Sequence, residues 1–211
     1  MSDLDRTTAG TIVRELRVHA PFTALGTVLG LVVVAAIVHR GLPRGVSAWL
    51  FWSFHPAHVF LSAWATAGIY RLHCRDRIWR TILIGYFGAI GIATLSDCII
   101  PYVGELVLGL PSKGAHIGVV EKWWLVNPLA AAGIVVAFYM PGTRFPHAGH
   151  VLFSTSASLF HMTMALGTSA DGAMLVLVAA FLFLAVWLPC CTSDILFPLL
   201  FRGRLDEDRA I

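Results

Sequence analysis

The sequence predicts an all-α integral membrane protein: six transmembrane helices arranged as two inverted three-helix repeats, with the N-terminus and C-terminus cytoplasmic. Three observations predict this. The 211 residues are 57% hydrophobic and only 13% charged, with a mean hydropathy of +0.77, far from the balance of a soluble domain. Six apolar runs are long enough to cross hydrocarbon about 30 Å thick, which takes about 20 helical residues. A set of polar residues in the first half also returns in the second half in the same order.

Residues 1–20 read as a cytoplasmic segment carrying Asp3, Asp5 and Glu15. They lack the apolar stretch and small-residue cleavage site of a secretory signal, so the first crossing, at 21–39, is expected to be retained. Crossings at 46–70 and 80–108 complete the first repeat, residues 21–110. An outer loop, 111–123, leads to crossings at 124–140, 149–167 and 172–200, which form the second repeat, 124–201. Residues 202–211 are a cytoplasmic tail.

This topology places four of the 15 basic residues, Arg40, Arg44, Lys113 and Lys122, outside and the others inside, in line with the positive-inside rule. The formal charge of +3 is spread over short juxtamembrane loops, so it reports topology and not nucleic-acid binding. Cys74, Cys98, Cys190 and Cys191 do not form a secreted disulfide framework and are expected to be free thiols. The chain has no phosphate loop, nucleophile elbow, His-Glu-x-x-His helix or dinucleotide glycine pattern.

The repeat rests on polar identities. "HPAHVFLS" at 55–62 returns as "HAGHVLFS" at 147–154, and "SDCIIP" at 96–101 as "SDILFP" at 193–198. "GLVVVA" at 30–35 and "GIVVA" at 133–137 also match, but aliphatic identities carry little weight in apolar helices. Coincidence is the plain alternative; it fits poorly because His and Asp are rare in membrane helices. Three crossings per repeat is an odd number, so the second copy sits upside down. His55, His58 and Asp97 are then expected towards the outside, and His147, His150 and Asp194 towards the inside, as two equivalent sets.

Each His pair heads a polar stripe with helical spacing: His55, His58, Ser62, Thr66 and His73 in one half, and His147, His150, Ser154, Ser158 and His161 in the other. Two imidazoles and a carboxylate suit a divalent transition metal such as zinc, manganese, iron, cobalt or nickel. Cys98, Cys190 and Cys191 lie close enough in sequence to shift the preference towards softer ions. The bland reading of each group is a helix-to-helix hydrogen bond, and it is the better one for His73 in its basic loop. His161 has no counterpart, since the matching position is Ile69, and so it breaks the symmetry.

Pro101 and Pro198 each follow an aspartate by four residues. A proline frees the carbonyl one turn earlier, here that of Asp97 or Asp194. Gly85, Gly88 and Gly91 offer a face for close helix approach. Glu105, His116 and Glu121 are positioned to gather cations at an outer mouth, while Trp123 and Trp124 beside Lys122 read as interfacial anchors.

The function expected from these features is that of a divalent transition-metal transporter or permease, with proton exchange through the same side chains. An intramembrane metal-dependent enzyme acting on a lipid-borne substrate is the alternative, with Glu105 or His161 as acid or base. A haem-binding membrane electron carrier is the second, because His58 and His73 are 15 residues apart and His147 and His161 are 14 apart. An assembly subunit is the remaining reading. Expected partners are the lipid bilayer, a metal ion or proton, and a second copy of the chain, since six short helices enclose little interior. The expected location is the inner or plasma membrane, as a multi-pass protein.

Overall fold

The computed structural model describes residues 43–73, 78–141, 144–166 and 172–200, together with scattered positions between 21 and 36. Regular structure among the described residues is entirely helical. We label the helices α1 (Arg44–His73), α2 (Ile78–Thr94), α3 (Ile100–Val107), α4 (Gly118–Glu121), α5 (Trp123–Tyr139), α6 (Arg144–Leu166) and α7 (Gly172–Leu200), with a π-helical turn, Leu95–Ile99, joining α2 to α3. The side chains of His73, His147, Cys190, Cys191 and Asp194, and all of Cys74, lie outside the described residues.

Among the described residues, one helix is long and apolar enough to cross a membrane: the continuous 30-residue run Ile78–Val107. Trp123–Tyr139 and Ala173–Trp187 are apolar but shorter. The 30 residues of α1 match the length, but its His, Ser, Thr and Arg positions lower its apolarity. Length and composition thus support one crossing, where the sequence led us to expect six, and lend no support to the inverted pairing.

The π turn has a local cause. Pro101 brings no backbone N–H and its ring crowds the carbonyl four residues back, so the regular ladder cannot pass through Asp97. The Ile100 N–H bonds to the Leu95 carbonyl instead, a five-residue step that widens the helix by one residue. Asp97, inside this turn, keeps its carbonyl free of the ladder.

Helix α1 is the hub and packs on α6, α5 and α2. It runs antiparallel to α6: Phe51 meets His161, Phe54 meets Phe160, and His58 meets His150, at ring-centroid distances of 5.2, 5.6 and 5.7 Å. Small residues permit the close packing. A Cβ on Gly133 would overlap the Phe60 carbonyl oxygen of α1, and one on Gly85 would lie 2.9 Å from Ala67 Cβ. Gly91, by contrast, faces nothing within 4 Å, so only part of the expected glycine face is used.

An apolar core encloses a buried polar cluster, and large apolar side chains are exposed on the outside. His55, His58, Ser62, Thr66, Asp97, His150, Ser154, Ser158 and His161 are buried, while Trp49, Phe87 and Tyr139 are 69%, 61% and 82% exposed. Burying polar groups is costly unless they bond to one another, and the site described next shows how most of them do.

Candidate functional site

Asp97 is the centre. Its position in the π turn turns the carboxylate towards α1 and α6, where four side chains that can donate surround it. Oδ2 accepts from Nδ1 of His55 at 2.9 Å and Nδ1 of His58 at 2.7 Å. Oδ1 accepts from the hydroxyls of Ser96 at 2.7 Å and Ser154 at 2.8 Å. An ionised carboxylate only accepts, so each imidazole carries its proton on Nδ1. The lone pair of a neutral ring then resides on Nε2. The His-x-x-His spacing produces this fork by setting two rings one turn apart on the same face of α1.

The backbone of the π turn is also engaged by α6. The Asp97 carbonyl, left free by Pro101, accepts from His161 Nδ1 at 2.7 Å, and the Ser96 carbonyl accepts from the Ser158 hydroxyl at 3.0 Å. The second His161 nitrogen, Nε2, is 2.8 Å from the Gly114 carbonyl and 3.3 Å from Glu105 Oε1. Both nitrogens of this ring are thereby occupied by oxygen.

His150 stacks on His58 with the ring planes 15° apart. The sequence led us to group His150 with His147 and Asp194 on the inner side; its ring meets a histidine of the other motif. The described second-motif residues His150, Ser154, Ser158 and His161 thus gather at or beside Asp97. The side chains of His147, Asp194, Cys190 and Cys191 lie outside the described residues.

Ser62 and Thr66 continue the α1 stripe but have buried hydroxyls without a hydrogen-bond partner. Cys98 points elsewhere, its thiol donating to the His116 carbonyl at 3.3 Å. Glu105, expected at an outer mouth, is buried, and its Oε2 accepts the Gly114 N–H at 3.0 Å. His116 and Glu121 do approach each other, with Nδ1 3.5 Å from Oε1 on the partly exposed rim.

The residues that sequence reasoning passed over are Gly114 and Gly118. Gly114 bonds to Glu105 and turns its carbonyl to His161, and Gly118 lies so close over His55 Nε2 that any side chain there would overlap the ring. Two glycines in the short run "KGAHIG" were the available signal.

Two features bear on metal binding. Among the described residues, no group of three or more His, Cys, Asp or Glu side chains is arranged to hold a metal ion. Asp97 sits behind the two imidazoles, not beside them, which is the place of a carboxylate that orients histidine ligands. His55 Nε2 is buried without a hydrogen-bond partner, an orphaned acceptor of the type that a cation or a proton would satisfy. No family model, curated protein or solved structure matches the chain, so the chemistry of this site is read from its own geometry.

Proposed function

We propose that the protein is a multi-pass membrane transporter of a divalent transition-metal cation, in which His55 and His58 meet the ion through Nε2 and Asp97 holds both rings from behind. The single observation that carries this reading is the shared carboxylate: one oxygen of Asp97 takes both Nδ1 protons. That arrangement fixes the tautomers and directs the basic nitrogens away from the acid.

Two imidazoles make an incomplete coordination shell, and for a transporter that is an advantage. A cargo ion must enter and leave, so its site needs fewer ligands than a structural centre, with water filling the remaining positions. Protons exchange through the same imidazoles, because Nε2 of a ring that has released its ion can take a proton.

In this reading six helices cross the bilayer, with both termini cytoplasmic and the halves inverted. The exposed large apolar side chains and the polar cluster buried among the helices support it, as does the antiparallel pairing of α1 with α6. The first-crossing glycines support it too: Gly30 faces Leu159 of α6, and its counterpart Gly133 faces Phe60 and Ala63 of α1. Each half therefore lays its first crossing on the His-bearing helix of the other.

The test is metal content by mass spectrometry on detergent-purified protein, together with zinc and manganese flux into liposomes. We expect about one equivalent of bound metal, lost in His55→Ala/His58→Ala along with the flux. A metal-free wild type that moves neither ion, or a haem absorption band in the visible, would overturn the proposal.

A further inference from the structure

We infer that the segment from Gly109 to Gly118 is a hinged lid over the Asp97 site, latched at Gly114. It goes beyond the transport reading and does not depend on which cation the site accepts.

The segment touches the site at three points. Gly118 covers His55 Nε2. The His116 carbonyl takes the Cys98 thiol, next to Asp97 in the chain. Gly114 donates its N–H to Glu105 Oε2, which is the latch, and its carbonyl lies 2.8 Å from His161 Nε2, a nitrogen without a proton in a neutral ring whose Nδ1 donates to the Asp97 carbonyl. One side chain, His161, thus stands between the lid and the turn that carries the carboxylate. With the lid in place, His55, Asp97 and His161 are sealed from solvent.

Its backbone is built to move. Gly109, at the point where α3 ends, has φ +64°, a left-handed conformation that glycine adopts at no steric cost. His116 has φ +41°, which a residue with a Cβ adopts only when its surroundings hold it there. The lid is therefore anchored at one end by a permissive hinge and strained at the other. Besides the bond at Gly114 and the Cys98 thiol on His116, two backbone bonds oppose release, Ser112 N–H to the Ala165 carbonyl at a long 3.4 Å and Leu110 N–H to the Glu105 carbonyl at 3.0 Å, while the buried Leu110 side chain anchors the segment next to its hinge. A short segment held by so few bonds opens locally at far smaller cost than the helices beneath it.

Cys98 is a native reporter, because it is buried directly under the lid. In full-length protein with Cys74, Cys190 and Cys191 replaced by serine, the rate of alkylation by N-ethylmaleimide reads how often the lid opens. We expect Glu105→Ala, which removes the acceptor of the Gly114 N–H, to raise that rate about tenfold. Glu105→Gln, whose amide oxygen accepts the same bond, returns it close to the starting rate. Gly118→Ala raises the rate without touching Glu105, because its methyl group displaces the lid from His55. A general loosening is detected by a second reporter, Ala137→Cys on α5, in a background that also lacks Cys98. Unchanged Cys98 rates in both Glu105→Ala and Gly118→Ala would overturn the lid, and so would an equal rise at position 137.

Discussion

The two halves of the molecule spell the same motif and use it differently. In the first half, His55, His58 and Asp97 bond to one another and form a site. In the second, His150, Ser154, Ser158 and His161 reach across to that same site, one stacking on His58 and the others bonding to Asp97 or the backbone beside it. Among the described residues, the first motif holds the carboxylate and the second lends its Ser and His to the turn that carries it. In the first half the π turn before Pro101 exposes two backbone carbonyls, and α6 supplies the Ser and His that satisfy them.

The sharpest way to break this comparison is to remove each aspartate in turn. Asp97→Ala leaves two imidazole N–H groups and two hydroxyls without their acceptor in a buried site. Loss of a buried charged partner costs about 3–5 kcal/mol, so thermal unfolding in detergent should fall steeply and bound metal should be lost. Asp194→Ala should do less to either quantity, because Ser154, Ser158 and His161 of the second half are already committed to the Asp97 turn. Equal losses from the two variants would restore two equivalent sites and end the asymmetric reading.

A second pair probes how each half clasps the other. Gly133→Val drives a side chain into the Phe60 carbonyl of α1, which is helix backbone and cannot yield. Gly30→Val meets the Leu159 side chain first, 3.1 Å from the new Cβ, and a leucine can change rotamer. Overpacking costs about 1–3 kcal/mol, so Gly133→Val should lower the unfolding midpoint and Gly30→Val should cost a fraction of that. The reverse order would mean that the first half depends on its own first crossing more than the second does.

The sequence made the membership of the site readable, but not its wiring. Helical spacing on a single apolar helix was enough to place His55 and His58 on one face, and proline chemistry was enough to release the Asp97 carbonyl that His161 now takes. Which ring nitrogen faces the carboxylate is decided by the distance and angle between α1 and the π turn, a tertiary quantity with no trace in spacing. The burial of Glu105 was hidden for a similar reason: its partner is the backbone of Gly114, and a glycine N–H leaves no pattern to find. Length and apolarity support one crossing among the described residues where the sequence suggested six, because runs such as α1 and α6 carry the polar stripe that the site requires.

The smallest effect isolates the asymmetry most cleanly, because it compares one residue type at one motif position. Ser62 and Ser154 are each four residues after the second histidine of their motif, and both are fully buried. Ser154 donates to Asp97 Oδ1 at 2.8 Å, and its replacement by alanine should cost about 1–2 kcal/mol, the range for a hydrogen bond to a charged group. The Ser62 hydroxyl has no such partner. Replacing it with alanine removes a buried polar atom that gains nothing from its position, so stability should be unchanged or slightly raised. Chemical denaturation of the two variants side by side measures both effects. A loss at Ser62 matching that at Ser154 would mean that the α1 stripe has a polar partner of its own along its length, and that the second half of the molecule is more than support for the first.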